Sequence, residues 1–170
     1  MVKGTMGWLN DNKTIYFQSE KSGYSHLNFY HLTSNKTEQL THGDFEIHQV
    51  ILSRDNQSFY ITANKNHPGN RSFYQFIIKT KEWIPILTDN GNFQVSIGPK
   101  EKQLTVRYSY KNKPWEMYTS SLQKESPINQ ITHSTNDSFD NHKWIDPEIV
   151  KIKKKINLKF MHGSIIQQKK

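Results

Sequence analysis

The string Asp11-Asn12-Lys13-Thr14-Ile15-Tyr16-Phe17 returns in kind as Asp55-Asn56-Gln57-Ser58-Phe59-Tyr60-Ile61, and more loosely as Lys102-Gln103-Leu104-Thr105-Val106. A second string keeps step with it. Leu40-Thr41 recurs as Leu87-Thr88 and again as Ile131-Thr132. A repeat of about 45 residues, built of strand-length apolar runs between Asn-, Gly- and Ser-rich turns, is the length of one four-stranded propeller blade. The chain is therefore expected to be all-β: about three four-stranded antiparallel blades of an incomplete β-propeller, over roughly 6–49, 50–95 and 96–141, followed by a short C-terminal β-hairpin. A blade buries its faces only against neighbours, and rings close with four to eight of them. Three blades alone leave two broad apolar faces, so the remaining blades of a larger ring, or a second copy, are expected to cover them.

Within the first blade, Trp8-Leu9, Thr14–Gln18, His26–Leu32 and Thr37–Leu40 read as strands, and Phe45-Glu46-Ile47 as the passage to the next. In the second, the strands are Val50–Leu52, Ser58–Thr62, Ser72–Ile78 and Trp83–Leu87. Pro85 fits an edge strand, where its missing N–H faces solvent. In the third, Gln103–Tyr108, Glu116–Leu122 and Ile128–Ile131 are the expected strands. From Trp144 the pattern changes: Asp146-Pro147 reads as a break, and Ile149–Ile152 and Leu158–Met161 as a new hairpin with a frayed tail. The organisation expected is thus a partial propeller over 1–143 and an exit segment over 144–170.

Charge settles which partners fit. The formal net charge is +8, but residues 151–170 hold seven lysines and no acid, so residues 1–150 are nearly neutral. A groove for nucleic acid needs Lys and Arg interleaved with the aromatic residues of the sheets, and that interleaving is missing. The Lys151–Lys155 run reads as a solvated tail. Only 34% of residues are hydrophobic, yet 12% are aromatic, enough to fill cores between sheets. No cysteine exists, which excludes disulfides and thiolate metal sites. No apolar run is long enough to span a membrane, and Met1–Met6 lacks the apolar core of a signal peptide.

Residues able to do chemistry are present but dispersed. His26, His31, His42, His48 and His67 fall on different strands and loops, without the helical spacing that converges metal ligands. His26, beside the Gly23-Tyr24 turn, is expected to hydrogen-bond a loop of its own blade. Glu20 and Glu46 stand where a carboxylate accepts backbone N–H groups in a turn, a role preferred to general acid and base. Trp8, Trp83, Trp115 and Trp144 recur near strand ends and read as core or rim packing. The N-x-S/T strings at Asn12, Asn35, Asn56, Asn70 and Asn136 are what chance gives in a chain this rich in Asn, Ser and Thr. No catalytic, cofactor-binding or metal-binding residue is expected.

Ser19-Glu20-Lys21-Ser22-Gly23-Tyr24-Ser25-His26-Leu27 resembles a run in the propeller of dipeptidyl-peptidase-IV-type prolyl oligopeptidases: Ser-Glu, two loop residues, Gly-aromatic, a spacer, His-Leu. Leu40-Thr41-His42-Gly43-Asp44-Phe45-Glu46-Ile47 resembles that family's turn between blades. Pro68-Gly69-Asn70-Arg71 before Phe73-Tyr74 resembles its approach to the next aromatic strand. The likeness covers roughly 8–165 and is specific over the first two blades. It implies a serine exopeptidase parent, periplasmic or of the cell envelope, that removes dipeptides from peptide N-termini, with residues from about Pro147 onward opening an α/β-hydrolase domain. The family's nucleophile sits on a G-x-S-x-G elbow, and no such string occurs here. His162-Gly163-Ser164 is the nearest, but Ile165-Ile166 follows it. The leading expectation is a non-catalytic propeller fragment of such a peptidase, with peptides as partners of the intact parent. The alternative is a stand-alone propeller-like binding or scaffold module of the cell envelope.

Overall fold

A computed structural model of the chain describes residues 4–145, 149–153 and 159–163. Three four-stranded antiparallel meanders follow one another along the sequence. Sheet one holds β1 (Met6–Trp8), β2 (Thr14–Ser19), β3 (His26–His31) and β4 (Lys36–Gln39). Sheet two holds β5 (Ile47–Leu52), β6 (Ser58–Ala63), β7 (Ser72–Ile77) and β8 (Trp83–Leu87). Sheet three holds β9 (Asn92–Ile97), β10 (Gln103–Tyr110), β11 (Lys113–Ser121) and β12 (Asn129–Gln130), and a short helix, α1 (Asp137–Asp140), follows it. β13 (Ile149–Lys153) and β14 (Lys159–Gly163) then pair antiparallel as the expected hairpin. The lysine-rich join between them and the extreme tail lie outside the described residues.

Why the strands turn where they do is visible in the repeat. Asn12, Asn56 and Glu101 all sit in the left-handed region, at φ 53°, 58° and 50°, where Asn is among the few non-glycine residues tolerated. Each N–H bonds back to the carbonyl three residues earlier, on Leu9, Ser53 and Gly98. Asp11 Oδ1 accepts the N–H groups of Lys13 and Thr14, and Asp55 Oδ1 that of Gln57. The Asp-Asn-x-Ser/Thr strings are thus turn chemistry.

The core lies between sheets. Alternation along β6 decides this: Phe59, Ile61 and Ala63 pack toward sheet one, while Tyr60 faces sheet three. All six residues of β6 are buried. Seam one joins Leu27, Phe29, Leu40 and Phe45 to Ile47, Val50, Phe59, Ile61 and Phe76. Seam two joins Tyr60, Phe73, Ile86 and Leu87 to Phe93, Val95, Leu104, Val106 and Tyr108. Pro85 lies on the edge strand β8 as expected, and its carbonyl accepts the N–H of Glu125 from sheet three at 3.1 Å.

Two features differ from the sequence reading. β9 was not expected as a strand: it begins at Asn92, inside the stretch assigned to the second blade and ahead of the Ser96 boundary. Its onset is hidden by Asn90-Gly91, which reads as turn. Gly91 adopts φ 135°, and a Cβ there would stand 2.5 Å from the Ser109 carbonyl oxygen. α1 was also not expected. Asn136, read as part of an N-x-S string, caps it by accepting the Phe139 N–H.

Candidate functional site

At one end of seam one the turn after β2, the start of β3 and the crossing from β4 to β5 converge on a polar cluster. Gln18 is its hub. Its Oε1 accepts the Thr5 N–H at 2.7 Å, and its Nε2 donates to Ile47 O at 2.9 Å and Ser25 Oγ at 3.2 Å. Glu46 accepts the Ser25 N–H at 2.6 Å, and its own N–H donates to Asn64 Oδ1 at 2.6 Å. His26, 2% exposed, stands between Thr41 Oγ1 at 3.1 Å and Gly43 O at 2.9 Å. A carbonyl can only accept, so Nε2 carries the proton and Nδ1 takes the Thr41 hydroxyl. Thr41 Oγ1 in turn accepts the Leu27 N–H at 3.0 Å. The Phe45 ring meets the imidazole edge-on at 5.1 Å.

This arrangement keeps His26 neutral. Burial lowers its pKa below the usual histidine range, the Gly43 carbonyl opposes that shift, and His42 adds to it. Thr41 beside His26 has the outline of a base-activated hydroxyl. Thr41 is 1% exposed, however, and its oxygen is engaged by a backbone N–H, so no substrate reaches it. The cluster is a latch between two sheets.

The repeat places a second latch in sheet three. Ile131 N–H bonds to Met117 O as Leu40 N–H bonds to Leu27 O, and Met117 N–H donates to Thr132 Oγ1 as Leu27 N–H does to Thr41 Oγ1. Glu116 then occupies the place of His26, and Ser72 the corresponding place in sheet two. Glu116 accepts from Ser134 N–H at 2.6 Å, from Ser134 Oγ at 2.5 Å and from the Thr132 hydroxyl. Those hydroxyls, Ser134 first, hold its carboxyl below the usual range. Gln18, Asn64 and Glu116 were not singled out from the sequence. Glu116 was findable, because it precedes Met117 as His26 precedes Leu27, ahead of the same Leu/Ile-Thr step.

The other histidines stay apart. His31 Nδ1 lies 3.3 Å from Thr14 Oγ1, His42 Nε2 3.0 Å from Gln39 O, and His67 Nδ1 accepts the Gly69 N–H at 3.1 Å. His48 Nε2 accepts from the Arg71 guanidinium at 2.8 Å, and burial followed by that positive charge lowers its pKa. Among the described residues no three His, Asp or Glu side chains gather as a metal site. The Glu20 side chain is exposed on its turn. Trp83 packs edge-on against Phe45, Tyr74 and Phe76 at 5.1–5.6 Å. Trp115 carries Arg107 over its face at 5.2 Å, Trp144 rests on Phe139 at 4.7 Å, and Trp8 is 53% exposed. Open hollows among the described residues include these two. One, of about 490 Å³, lies against Phe17, Asn28 and Gln39 on the outer face of sheet one. The other, of about 330 Å³, lies between Glu116, Tyr118 and Trp144. Neither brings a nucleophile to a base.

The model of a known family, the dipeptidyl peptidase IV (DPP IV) N-terminal region, matches residues 2–115. The chain belongs to this family. The DPP IV N-terminal match takes in both seams and the whole of sheets one and two. A probable dipeptidyl peptidase 4 of Emericella nidulans is 22% identical over 151 residues, covering 76% of this chain and 19% of that protein. The chain thus spans about a fifth of the length of the curated relative it matches. TolB from Acinetobacter baumannii superposes with a TM-score of 0.59 at 13% identity, over 80% of this chain and 34% of TolB, a likeness of fold. The three sheets are propeller blades.

Proposed function

We propose that this chain is a non-catalytic part of the propeller of a DPP-IV-like serine peptidase, whose intact form cleaves dipeptides from peptide N-termini. Seam one is the observation that carries the reading. The residues bearing the family's pattern, Ser25-His26-Leu27 and Leu40–Ile47, form the latch that fixes one blade on the next. Their role here is to hold a wall, and no hydroxyl or imidazole of the latch is open to a peptide. In the intact enzyme such a wall admits and helps bind peptides with a free amino terminus. Residues from Pro147 onward, with β13 and β14, are proposed as the start of the α/β-hydrolase domain.

The test is the reading frame flanking the two termini, together with assay of the purified 170 residues on a chromogenic Gly-Pro substrate. A frame running into a G-x-S-x-G string and no cleavage by the chain alone are expected. Cleavage by the chain alone overturns the non-catalytic reading. A stop with no hydrolase gene adjoining favours a stand-alone envelope module instead.

A further inference from the structure

Asn90-Gly91 is the single Asn-Gly pair of the chain, and it sits in the joint between sheets two and three. Asparagine followed by glycine is the pair most open to reaction with itself, because no Cβ shields the glycine nitrogen from the preceding carboxamide. The reaction closes a succinimide ring. The Gly91 nitrogen bonds to Asn90 Cγ, the Cγ–Nδ2 bond breaks, and ammonia leaves with the Gly91 amide proton. Water then opens the ring, at the new bond to give aspartate or at the Asn90 carbonyl carbon to give isoaspartate.

In the fold both reacting groups are held by one side chain. Asn70, 8% exposed, accepts the Gly91 N–H on Oδ1 at 3.2 Å and donates from Nδ2 to Asn90 Oδ1 at 3.0 Å. The attacking nitrogen and the carboxamide it would attack are thus tied to opposite ends of the same group. The Tyr108 hydroxyl donates to Asn90 O at 2.6 Å, and Gly91 O accepts the Arg71 N–H at 2.9 Å. Gly91 is buried at φ 135°, whereas Asn90 is exposed to the water that the second step consumes. The N-x-S string at Asn70 is therefore a buried clamp on its neighbour across the loop. We infer that Asn90 is a conditional deamidation site: the Asn70 carboxamide keeps it an amide while sheets two and three are joined, and it converts when they part. Isoaspartate carries the backbone through the former side chain and lengthens it by one carbon, so Gly91 no longer meets both Arg71 and Asn70. Opening of this joint is then recorded as a covalent change that reclosing does not undo. The inference goes beyond the peptidase reading and does not depend on it.

The test is storage of the purified 170 residues in warm, mildly alkaline buffer, with Asn90 followed by peptide mass spectrometry and isoaspartate by enzymatic methylation. A synthetic peptide of residues 86–95 gives the unprotected rate. Asn90 in the folded chain is expected to convert at least about tenfold more slowly than in the peptide, since conversion waits on local opening. Asn70→Ala is expected to raise the rate in the folded chain about tenfold, and Tyr108→Phe, which keeps the ring, about threefold. Val50→Ala, in seam one, loosens the fold without touching the clamp and is expected to leave the rate within about twofold. Converted chains are expected to exchange the Arg71 and Phe93 amides at least about tenfold faster than unconverted ones. Conversion of the folded chain at the peptide rate overturns the protection. Equal rises in Asn70→Ala and Val50→Ala, or no rise in Asn70→Ala and Tyr108→Phe, overturn the clamp. Unchanged exchange after conversion overturns the covalent record. If Asn70→Ala does not fold, Tyr108→Phe against Val50→Ala decides.

Discussion

Seam one and seam two are the same joint built twice, with different chemistry. In seam one the rings meet edge-on: Tyr16 on Phe59 at 5.0 Å and 63°, and Phe45 on Trp83 at 5.6 Å and 86°. Beside seam two, two ring pairs lie flat, Phe93 on Tyr108 at 4.7 Å and 21° and Tyr60 on Phe73 at 6.2 Å and 20°, while Tyr118 meets Tyr108 edge-on at 5.8 Å and 77°. The polar locks differ more. Seam one is closed through Gln18, His26 and Glu46 side chains. Seam two is closed mostly by backbone and carboxamide groups, Arg71 N–H to Gly91 O, Phe93 N–H to Arg71 O and Gly91 N–H to Asn70 Oδ1, with the Tyr108 hydroxyl donating to Asn90 O at 2.6 Å. Burial in the two seams is alike, so the repeat demands apolar filling and a satisfied polar end but leaves open which groups satisfy it. Titratable side chains form the lock of seam one itself, whereas in seam two the titratable His48 only abuts the lock through Arg71, and a tight backbone approach makes that lock responsive to a single methyl group.

The contrast can be broken most forcefully at the shared centre of seam one. Phe59→Ala empties a site that is 0% exposed and is expected to cost about 3–5 kcal/mol, read by urea denaturation followed at tryptophan. If the two seams open as one unit, far-UV and tryptophan signals shift together. Gly91→Ala strikes seam two by sterics: the new Cβ meets Ser109 O at 2.5 Å with φ at 135°. About 3 kcal/mol of destabilisation is expected. Gly23→Ala, with φ at 99° and nothing within 4 Å, is the control and is expected to lose only about 1 kcal/mol.

Acidification sharpens the comparison next. His26 and His48 both have folded-state pKa values below the ordinary 6.5. The unfolded chain therefore binds protons first as pH falls. The stability these groups contribute is present above pH 6.5 and declines from there down to their folded-state values. His26→Gln should flatten that slope, leaving the part due to His48, as measured by chemical denaturation at a series of pH values. A slope unchanged by His26→Gln would show that seam one does not sense pH through this residue. The smallest effects belong to the hydrogen bonds between first turns of successive sheets, Asn10 N–H to Asn56 Oδ1 at 3.1 Å and Arg54 N–H to Glu101 Oε1 at 2.9 Å. Asn56→Gly and Glu101→Gly keep the left-handed turns at φ 58° and 50° and are each expected to cost about 0.5–1 kcal/mol. Both seams should respond equally here, since both use this bond.

Much of this was legible in the residues. Asp-Asn-x-Ser/Thr turns and the Leu/Ile-Thr step carry the period, because a left-handed turn and a backbone-binding hydroxyl each accept few residue types. His26 and Glu46 were readable as turn-bound for the same reason. β9 was not, since Asn90-Gly91-Asn92 spells a turn locally and only the close approach to Ser109 fixes where the strand begins. Gln18 was hidden in a strand of alternating character, where nothing local distinguishes a solvent-facing amide from one spanning two sheets. Glu116 escaped notice because a carboxylate replaces an imidazole at a shared position, and the shared feature is the backbone around it.

The two-sided burial of β6 has a consequence for how such a chain can vary in length. Deleting one residue there would turn Phe59, Ile61 and Ala63 toward sheet three and Tyr60 and Thr62 toward sheet one, spoiling both cores together. Adding or removing an entire four-stranded unit keeps every remaining strand in phase and disturbs one boundary. The architecture is therefore tolerant of large, whole-repeat edits and intolerant of the smallest ones.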